Sequence, residues 1–347
     1  MNAAEQIRWK TNIKKWGKAL GFVSIGITTA QPIEGLSSQM QARIDQGLAT
    51  PFESKDIKLR IDPKVGWPCC ETVVALAYPF PYSSPPQEGE GIMARSAVGE
   101  DYHHFMNEKI DHLVEIMDSN EWPGTSRQQV DTGLLVERAF ALRAGIGWIG
   151  RNQHLIIPGY GSFVTLGLLL LDRALEPDPP HIPNQCGTCQ KCVQACPAQI
   201  LGKDVFASRH CVSYLTQSKD VLSSQECERI GSRIFGCDTC QEACLHNQKR
   251  LKKEQLRQQP QQPPQLRVNS ATAPLRRGVD LLETLNLTKG EFQQRYKTTA
   301  AGWRGKGVLQ RNAFLALRNL QDGRWRLWLA EREKDQLVPL IIAPYLS

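Results

Sequence analysis

Cys186-Gly-Thr-Cys189-Gln-Lys-Cys192-Val-Gln-Ala-Cys196-Pro197 sets the organisation of the whole chain. The two-residue gaps let the backbone curl around successive corners of a cubane, with amide N–H groups aimed at its sulfides. In such a run three thiolates hold one [4Fe–4S] cluster and the fourth reaches across to a second. A zinc site needs only four ligands, usually in two separated pairs. The partner run is Cys237-x2-Cys240-x3-Cys244, followed by Leu245 where a proline is usual. By the swapped arrangement Cys244 returns to the first cluster with Cys186, Cys189 and Cys192. Cys196, Cys237 and Cys240 then hold the second cluster and lack a fourth ligand, for which Cys211 and Cys227 are the candidates. Cys69 and Cys70 lie apart and read as incidental thiols.

Around these runs, Cys186 to Asn247 is poor in apolar residues and has little to build a core of its own. Bound clusters are expected to organise it as a ferredoxin-like two-cluster domain over 181–247. Upstream, helical periodicity at 3–20, 102–118 and 134–144 alternates with strand-like runs at 23–28, 72–78 and 163–171, and 129–131 reads as a short strand end. Strands separated by helices predict an α/β domain over 1–180, closed by a stiff linker at Pro177, Pro179, Pro180 and Pro183. Lys252 to Gln265 is rich in Gln and Pro and reads as a linker. Helical patterns return at 308–320 and from Trp325, predicting a small helical module over 248–347. The chain as a whole reads as α+β and multidomain.

Eleven cysteines in 347 residues, with no apolar leader, suit a reducing compartment, and cytoplasmic localisation is expected. The longest apolar stretch, Leu166 to Leu171, is far short of a bilayer span, so no membrane partner is expected. The formal charge of +7 hides an asymmetry: residues 248–347 carry 19 Lys and Arg against 8 Asp and Glu, leaving the rest of the chain net acidic. A basic segment of that kind is the electrostatic footprint of a polyanion partner. Its Arg276, Arg277, Arg304, Lys306, Arg311 and Arg318 are the expected phosphate contacts.

Two cubanes relay electrons and need a redox centre to receive them. Neither a dinucleotide fingerprint nor a P-loop is present, and Gly145-Ile-Gly147-Trp-Ile-Gly150 follows a helix where a strand is required. Several motifs occur in order: Ile57-Lys-Leu-Arg60-Ile-Asp62-Pro63, Arg95-Ser-Ala-Val-Gly99-Glu-Asp101-Tyr102-His103, Val130-Asp131-Thr132-Gly133 with Glu137-Arg138, and Gly147-Trp-Ile-Gly150-Arg-Asn152. Tyr160-Gly161-Ser162, the two cysteine runs, Cys211-Val-Ser213-Tyr214-Leu215-Thr216 and Arg311-Asn312 through Asn319 follow. Together they resemble the epoxyqueuosine reductases, cobalamin-dependent enzymes that complete queuosine at the tRNA wobble position.

The resemblance implies a cobalamin-binding α/β domain, the two-cluster domain and a C-terminal, HEAT-like helical module that helps hold tRNA. It implies Cys211 as the missing ligand and Asp131 as the proton donor, although Asp-Thr-Gly before a helix is also an ordinary capping arrangement. Arg60, Arg95, Tyr102, His103, Arg151, Asn152, Gly161, Ser162 and Ser213 are the candidates for the corrin's surroundings, with the tRNA backbone as the alternative partner for the three arginines. The expected partners are tRNA carrying epoxyqueuosine and a low-potential electron-donor protein, with the chain a monomer. Departures are modest: Cys244-Leu-His-Asn247 replaces the usual Cys-Pro-Trp-Asn, and Leu168 replaces a residue often acidic. A reductive dehalogenase-like enzyme for a small substrate and a ferredoxin-type electron-transfer subunit are the alternatives. The first leaves the basic module without a purpose, and the second leaves Asp131 without one.

Overall fold

The computed structural model describes residues 1–180, 182–256, 275–334 and 339–346. Helix α1 (Ala3–Ala19) opens on a capping box, in which Asn2 accepts from the Glu5 N–H and Glu5 accepts from the Asn2 N–H. It leads into β1 (Ser24–Thr29), α2 (Ser37–Asp45), β2 (Thr72–Pro79), α3 (Tyr102–Ser119), β3 (Ser126–Gln129), α4 (Glu137–Arg143) and β4 (Val164–Leu171). The four strands form one sheet in the order β1-β2-β4-β3.

Every pairing in that sheet is antiparallel. The α/β expectation for this domain is therefore corrected to α+β: strands and helices alternate along the chain, but every pair of neighbouring strands in the sheet runs antiparallel. Both faces of β2 and β4 are covered. Trp9, Ile13, Leu113 and Met117 pack on one side and Phe140, Ala141 and Ile146 on the other, so these strands read as continuous apolar runs despite their antiparallel pairing. The strand end expected at 129–131 stops at Gln129, and Asp131 lies beyond it. The helix expected from Leu134 starts at Glu137, because 131–136 is taken up by a loop.

The cysteine-rich segment does not depend on clusters alone. Ile200, Val212, Leu215, Ile230, Ile234 and Phe235 share one buried apolar cluster with Leu281, Leu285, Leu309, Phe314, Leu317 and Ile342. A second, three-stranded sheet binds all three regions together. Gly91–Met93 pairs in parallel with Arg233–Phe235 and antiparallel with Gly278–Val279. The expected linker at 252–265 is helical through Leu256, the end of Leu245–Leu256, and its remainder lies outside the described residues. Lys306–Asn319 and Arg324–Lys334 supply the C-terminal helices. Among the described residues, no helix is long and apolar enough to cross a membrane.

Candidate functional site

Asp131 follows the edge strand β3 in the left-handed region, at φ 52°. Asp tolerates that conformation better than most residues but at a cost, and such outliers gather at working sites. Its side chain is 60% exposed, while Oδ2 is gripped from behind. The Tyr102 hydroxyl donates to Oδ2, and His103 Nε2 lies 3.2 Å from the same oxygen. Both partners come from the first turn of α3, whose N-cap is Asp101. That carboxylate accepts the His103 N–H at 3.0 Å and meets His103 Nδ1 at 2.6 Å.

The electrostatics follow from this geometry. Partial loss of water raises the Asp131 carboxyl, but hydrogen bonds from His103 and Tyr102, with the His103 charge, hold it below its ordinary value. Desolvation alone would lower His103; Asp101 and Asp131 on its two nitrogens instead raise it to about 9. Burial and the Asp131 charge push the Tyr102 phenol well up, so it stays a donor. Near neutral pH the proton of this group rests on His103 and not on Asp131. Glu137 lies behind the loop, accepts from Gln129 Nε2 at 2.8 Å, and is pushed up by burial to about 7.

The thiols sort into two sets by the charges each feels. Burial is the main cause raising Cys192 and Cys244. The next contributions come from Cys244 and Cys186 at the first, and from Cys186 and Cys189, against two backbone N–H groups, at the second. Cys240 is raised by burial and then by Cys237, Cys211 and Cys196; Cys211 is pushed up by burial to about 11, with Cys237 and Cys196 adding to it. These are the sets 186/189/192/244 and 196/211/237/240. Cys227 stands apart, beside Arg311 and Arg318. Among the described residues no three His, Cys, Asp or Glu side chains are gathered as a single metal ion requires. A cubane makes no such demand, since its own irons and sulfides hold the thiolates apart.

Several residues expected around a cofactor join the sheet domain to the cysteine segment. Ser162 donates its N–H to Asn247 Oδ1 at 2.7 Å and its hydroxyl to Gln241 Oε1 at 2.9 Å. A Cβ on Gly161 would stand 1.9 Å from Asn247 Oδ1, so Asn247 requires the glycine. Arg151 donates to Gly187 O at 2.8 Å, within the first cysteine run. Arg95 is buried over the Phe163 ring, and its N–H donates to Asp238 Oδ2 at 2.7 Å, one residue from Cys237. The Ser213 amide faces the Cys211 sulfur. Tyr102 and His103 are turned to Asp131, and Arg60 pairs with Glu53 at 3.0 Å. Asn152 is buried, and its Nδ2 is a donor without an acceptor among the described residues.

The basic arm corrects the sequence reading most. Arg311 is 0% exposed and donates to Ser218 O at 2.5 Å and Leu215 O at 2.9 Å. Arg277 is buried against Glu242 and Asp238. A phosphate has no access to either, because both guanidiniums are enclosed by the protein groups they bind. Arg304 donates to Gln217 O, Lys306 to Leu287 O and Arg318 to Tyr345 O, each part-buried, while Arg276 pairs with Glu90 on the surface. Asp101, Glu137, Arg43 and Asn247 are site-shaping residues to which the sequence reading gave no role. Of these, only Asp101 carried a local signal, an N-cap residue directly before a helix.

A family model described as epoxyqueuosine reductase QueG, DUF1730, matches residues 60–132, and one described as a 4Fe-4S double cluster binding domain matches 185–247. An epoxyqueuosine reductase of Staphylococcus aureus is 35% identical over 320 residues, covering 90% of this chain and 80% of that protein. The chain belongs to the epoxyqueuosine reductase family. The Bacillus subtilis member is 34% identical over the same length and share of each chain. A solved Streptococcus thermophilus epoxyqueuosine reductase superposes with a TM-score of 0.83 at 32% identity, covering 96% of this chain and 87% of that one. A second structure, an epoxyqueuosine reductase with an epoxyqueuosine-modified tRNA-Tyr stem loop, gives 0.82 at 32% identity, covering 94% and 85%. As a member of this family, the chain carries a double-cluster domain for two [4Fe–4S] centres.

Proposed function

We propose that the protein reduces the epoxide of epoxyqueuosine in tRNA to the alkene of queuosine. Two electrons and two protons enter, both carbon–oxygen bonds break, and the ring oxygen leaves as water. Family membership supports the substrate. The observation that carries the chemistry is the Asp131 carboxylate, exposed at its front and held from behind by Tyr102 and His103.

The two thiolate sets hold the clusters, which deliver electrons singly at low potential. Cobalamin is the receiving centre in this reading. Asn152 Nδ2, buried without an acceptor among the described residues, fits the amide-rich periphery of a corrin, and Arg151 beside it ties the same turn to the first cysteine run. When bound, cobalamin supplies a strongly nucleophilic reduced metal for opening the strained ring.

The chain's own residues manage the protons. As charge develops on the ring oxygen, Asp131 passes on a proton taken up from His103, and Asp101 stabilises the imidazolium that supplies it. Tyr102 fixes the carboxylate's orientation. Asp131 is thus the terminal donor of a relay, with His103 as its store. The C-terminal helices and the surface around residues 43–60 hold the RNA, and a low-potential protein supplies the electrons. Asp131→Asn is expected to abolish turnover of an epoxyqueuosine stem loop under anaerobic, reducing conditions, with iron content and RNA affinity retained. Undiminished turnover would refute the assignment.

A further inference from the structure

Beside α2 lies a cavity of about 190 Å³, lined by Arg43, Arg60, Arg209 and Lys55 against a single carboxylate, Glu53. Glu53 bridges Arg43 at 2.6 Å and Arg60 at 3.0 Å, which fixes both guanidiniums but neutralises only one charge. Arg43 is further anchored to Phe206 O and Ser208 Oγ. Arg60 makes one ion pair among the described residues. Behind them stands Arg138, which makes no hydrogen bond or ion pair with a described residue and lies within electrostatic reach of Arg43, Arg60 and Glu53. Arg209 pairs with the exposed Asp220 at 3.7 Å, so four basic groups meet two carboxylates, and the cavity is an open-mouthed, net-positive recess too small for a corrin and large enough for a phosphate group.

The rim of this cavity is aromatic. Phe52, adjoining Pro51 and Glu53 in the cavity wall, is 44% exposed, and Trp303 is 54% exposed. Their rings meet edge to face at 5.0 Å, and the Arg304 guanidinium lies over both, at 5.1 Å and 4.7 Å. Large exposed rings fixed beside a net-positive arginine recess suit single-stranded nucleic acid, which offers a phosphodiester and a stacking base at adjacent points. The position is also apt. Arg60 O accepts the Val136 N–H at 3.1 Å, so the cavity wall is bonded to the loop that carries Asp131.

We propose that this surface is a subsite for a nucleotide flanking the one presented to Asp131: a phosphodiester enters the recess against Arg60 and Arg209, and its base stacks on Phe52 and Trp303. The inference rests on the reading of tRNA as substrate. It concerns none of the basic-arm residues that composition pointed to, apart from Arg304.

The test is the affinity of the iron-loaded full chain for an anticodon stem-loop RNA, by fluorescence anisotropy across a salt series. Trp303→Ala is expected to weaken binding about tenfold, the loss of one stacked base. Arg209→Gln is expected to weaken it less and to reduce the salt slope by about 0.7, one phosphate contact on a single strand. A stem loop with a methylphosphonate at the seated position should bind both wild type and Arg209→Gln equally weakly. Phe52→Leu keeps apolar packing against Tyr214 and guards against a folding artefact in Trp303→Ala. Wild-type binding with unchanged affinity and slope in Trp303→Ala, Phe52→Leu and Arg209→Gln would overturn the subsite alone. Failure of the wild type to bind the stem loop would overturn the substrate reading and the subsite together.

Discussion

Arg311 is fully buried and Arg138 only half-buried, and the two differ further in what their guanidiniums meet. Arg311 lies inside the C-terminal core and binds Leu215 O, Ser218 O and Asn312 Oδ1. Asn312 in turn donates to Thr216 O and Ile234 O. The pair braces the stretches that follow Cys211 and precede Cys237, so its charge is committed to holding a cluster site in shape. Arg138 is next to α4's first residue, in the sheet domain, makes no hydrogen bond or ion pair with a described residue, and feels the charges of Glu53 and Glu137. A buried charge satisfied by protein groups belongs to the architecture, whereas a half-buried one without a hydrogen bond to a described residue is left to solvent or to a ligand. Net charge along the sequence pointed to the first kind, because composition counts charges and cannot show which are already bound.

The contrast can be broken most directly by truncating each arginine. Arg311→Met leaves two backbone carbonyls and Asn312 without their donor, and a loss of about 3 kcal/mol or more in unfolding free energy is expected. Thermal unfolding and iron analysis should show a lower Tm and loss of roughly one cluster. Arg138→Met should leave Tm nearly unchanged; equal destabilisation by the two substitutions would erase the distinction.

Chelation extends the same comparison to the thiols. Cys196, Cys211 and Cys237 pack against the large shared core, whereas Gly187 in the first run is held from outside by Arg151. Under a mild iron chelator, the 186/189/192/244 set should lose its cluster first, read by iron stoichiometry and EPR; simultaneous loss would contradict it.

A smaller effect is expected from pH. His103 is raised in the folded protein from 6.5 to about 9, so its contribution to stability is complete below pH 6.5 and is lost as pH rises through 9. The Tm of the wild type should therefore fall more between pH 7.5 and 10 than that of His103→Gln. The smallest effect is assigned to Arg276→Ala, which removes a surface ion pair with Glu90 and should cost less than about 1 kcal/mol in chemical denaturation.

Those expectations mark where sequence was informative. The cysteine spacing proposed seven of the eight thiols now found in two groups, because thiolate geometry around a cubane is local and the C-x2-C gaps carry it; spacing alone left Cys211 and Cys227 as equal candidates for the eighth. α1 and α3 were legible from their apolar periodicity. Strand direction was not legible, since β2 and β4 are covered on both faces and their apolar runs look alike in parallel and antiparallel sheets. The roles of Gly161 and Ser162 escaped for a different reason. Their partner, Asn247, is more than eighty residues away, and no local pattern announces a contact of that kind.

The small sheet of Gly91–Met93, Arg233–Phe235 and Gly278–Val279 governs the order in which the protein can be made. Its central strand is synthesised first and must wait for partners about 140 and 185 residues later, a separation that penalises early closure. During translation Gly91–Met93 leaves the ribosome with both edges unpaired, an invitation to pairing with the wrong chain. Assembly of the nascent protein is thus expected to finish only when its C-terminal region emerges, and truncated chains should be handed to chaperones instead of persisting as a working half-enzyme.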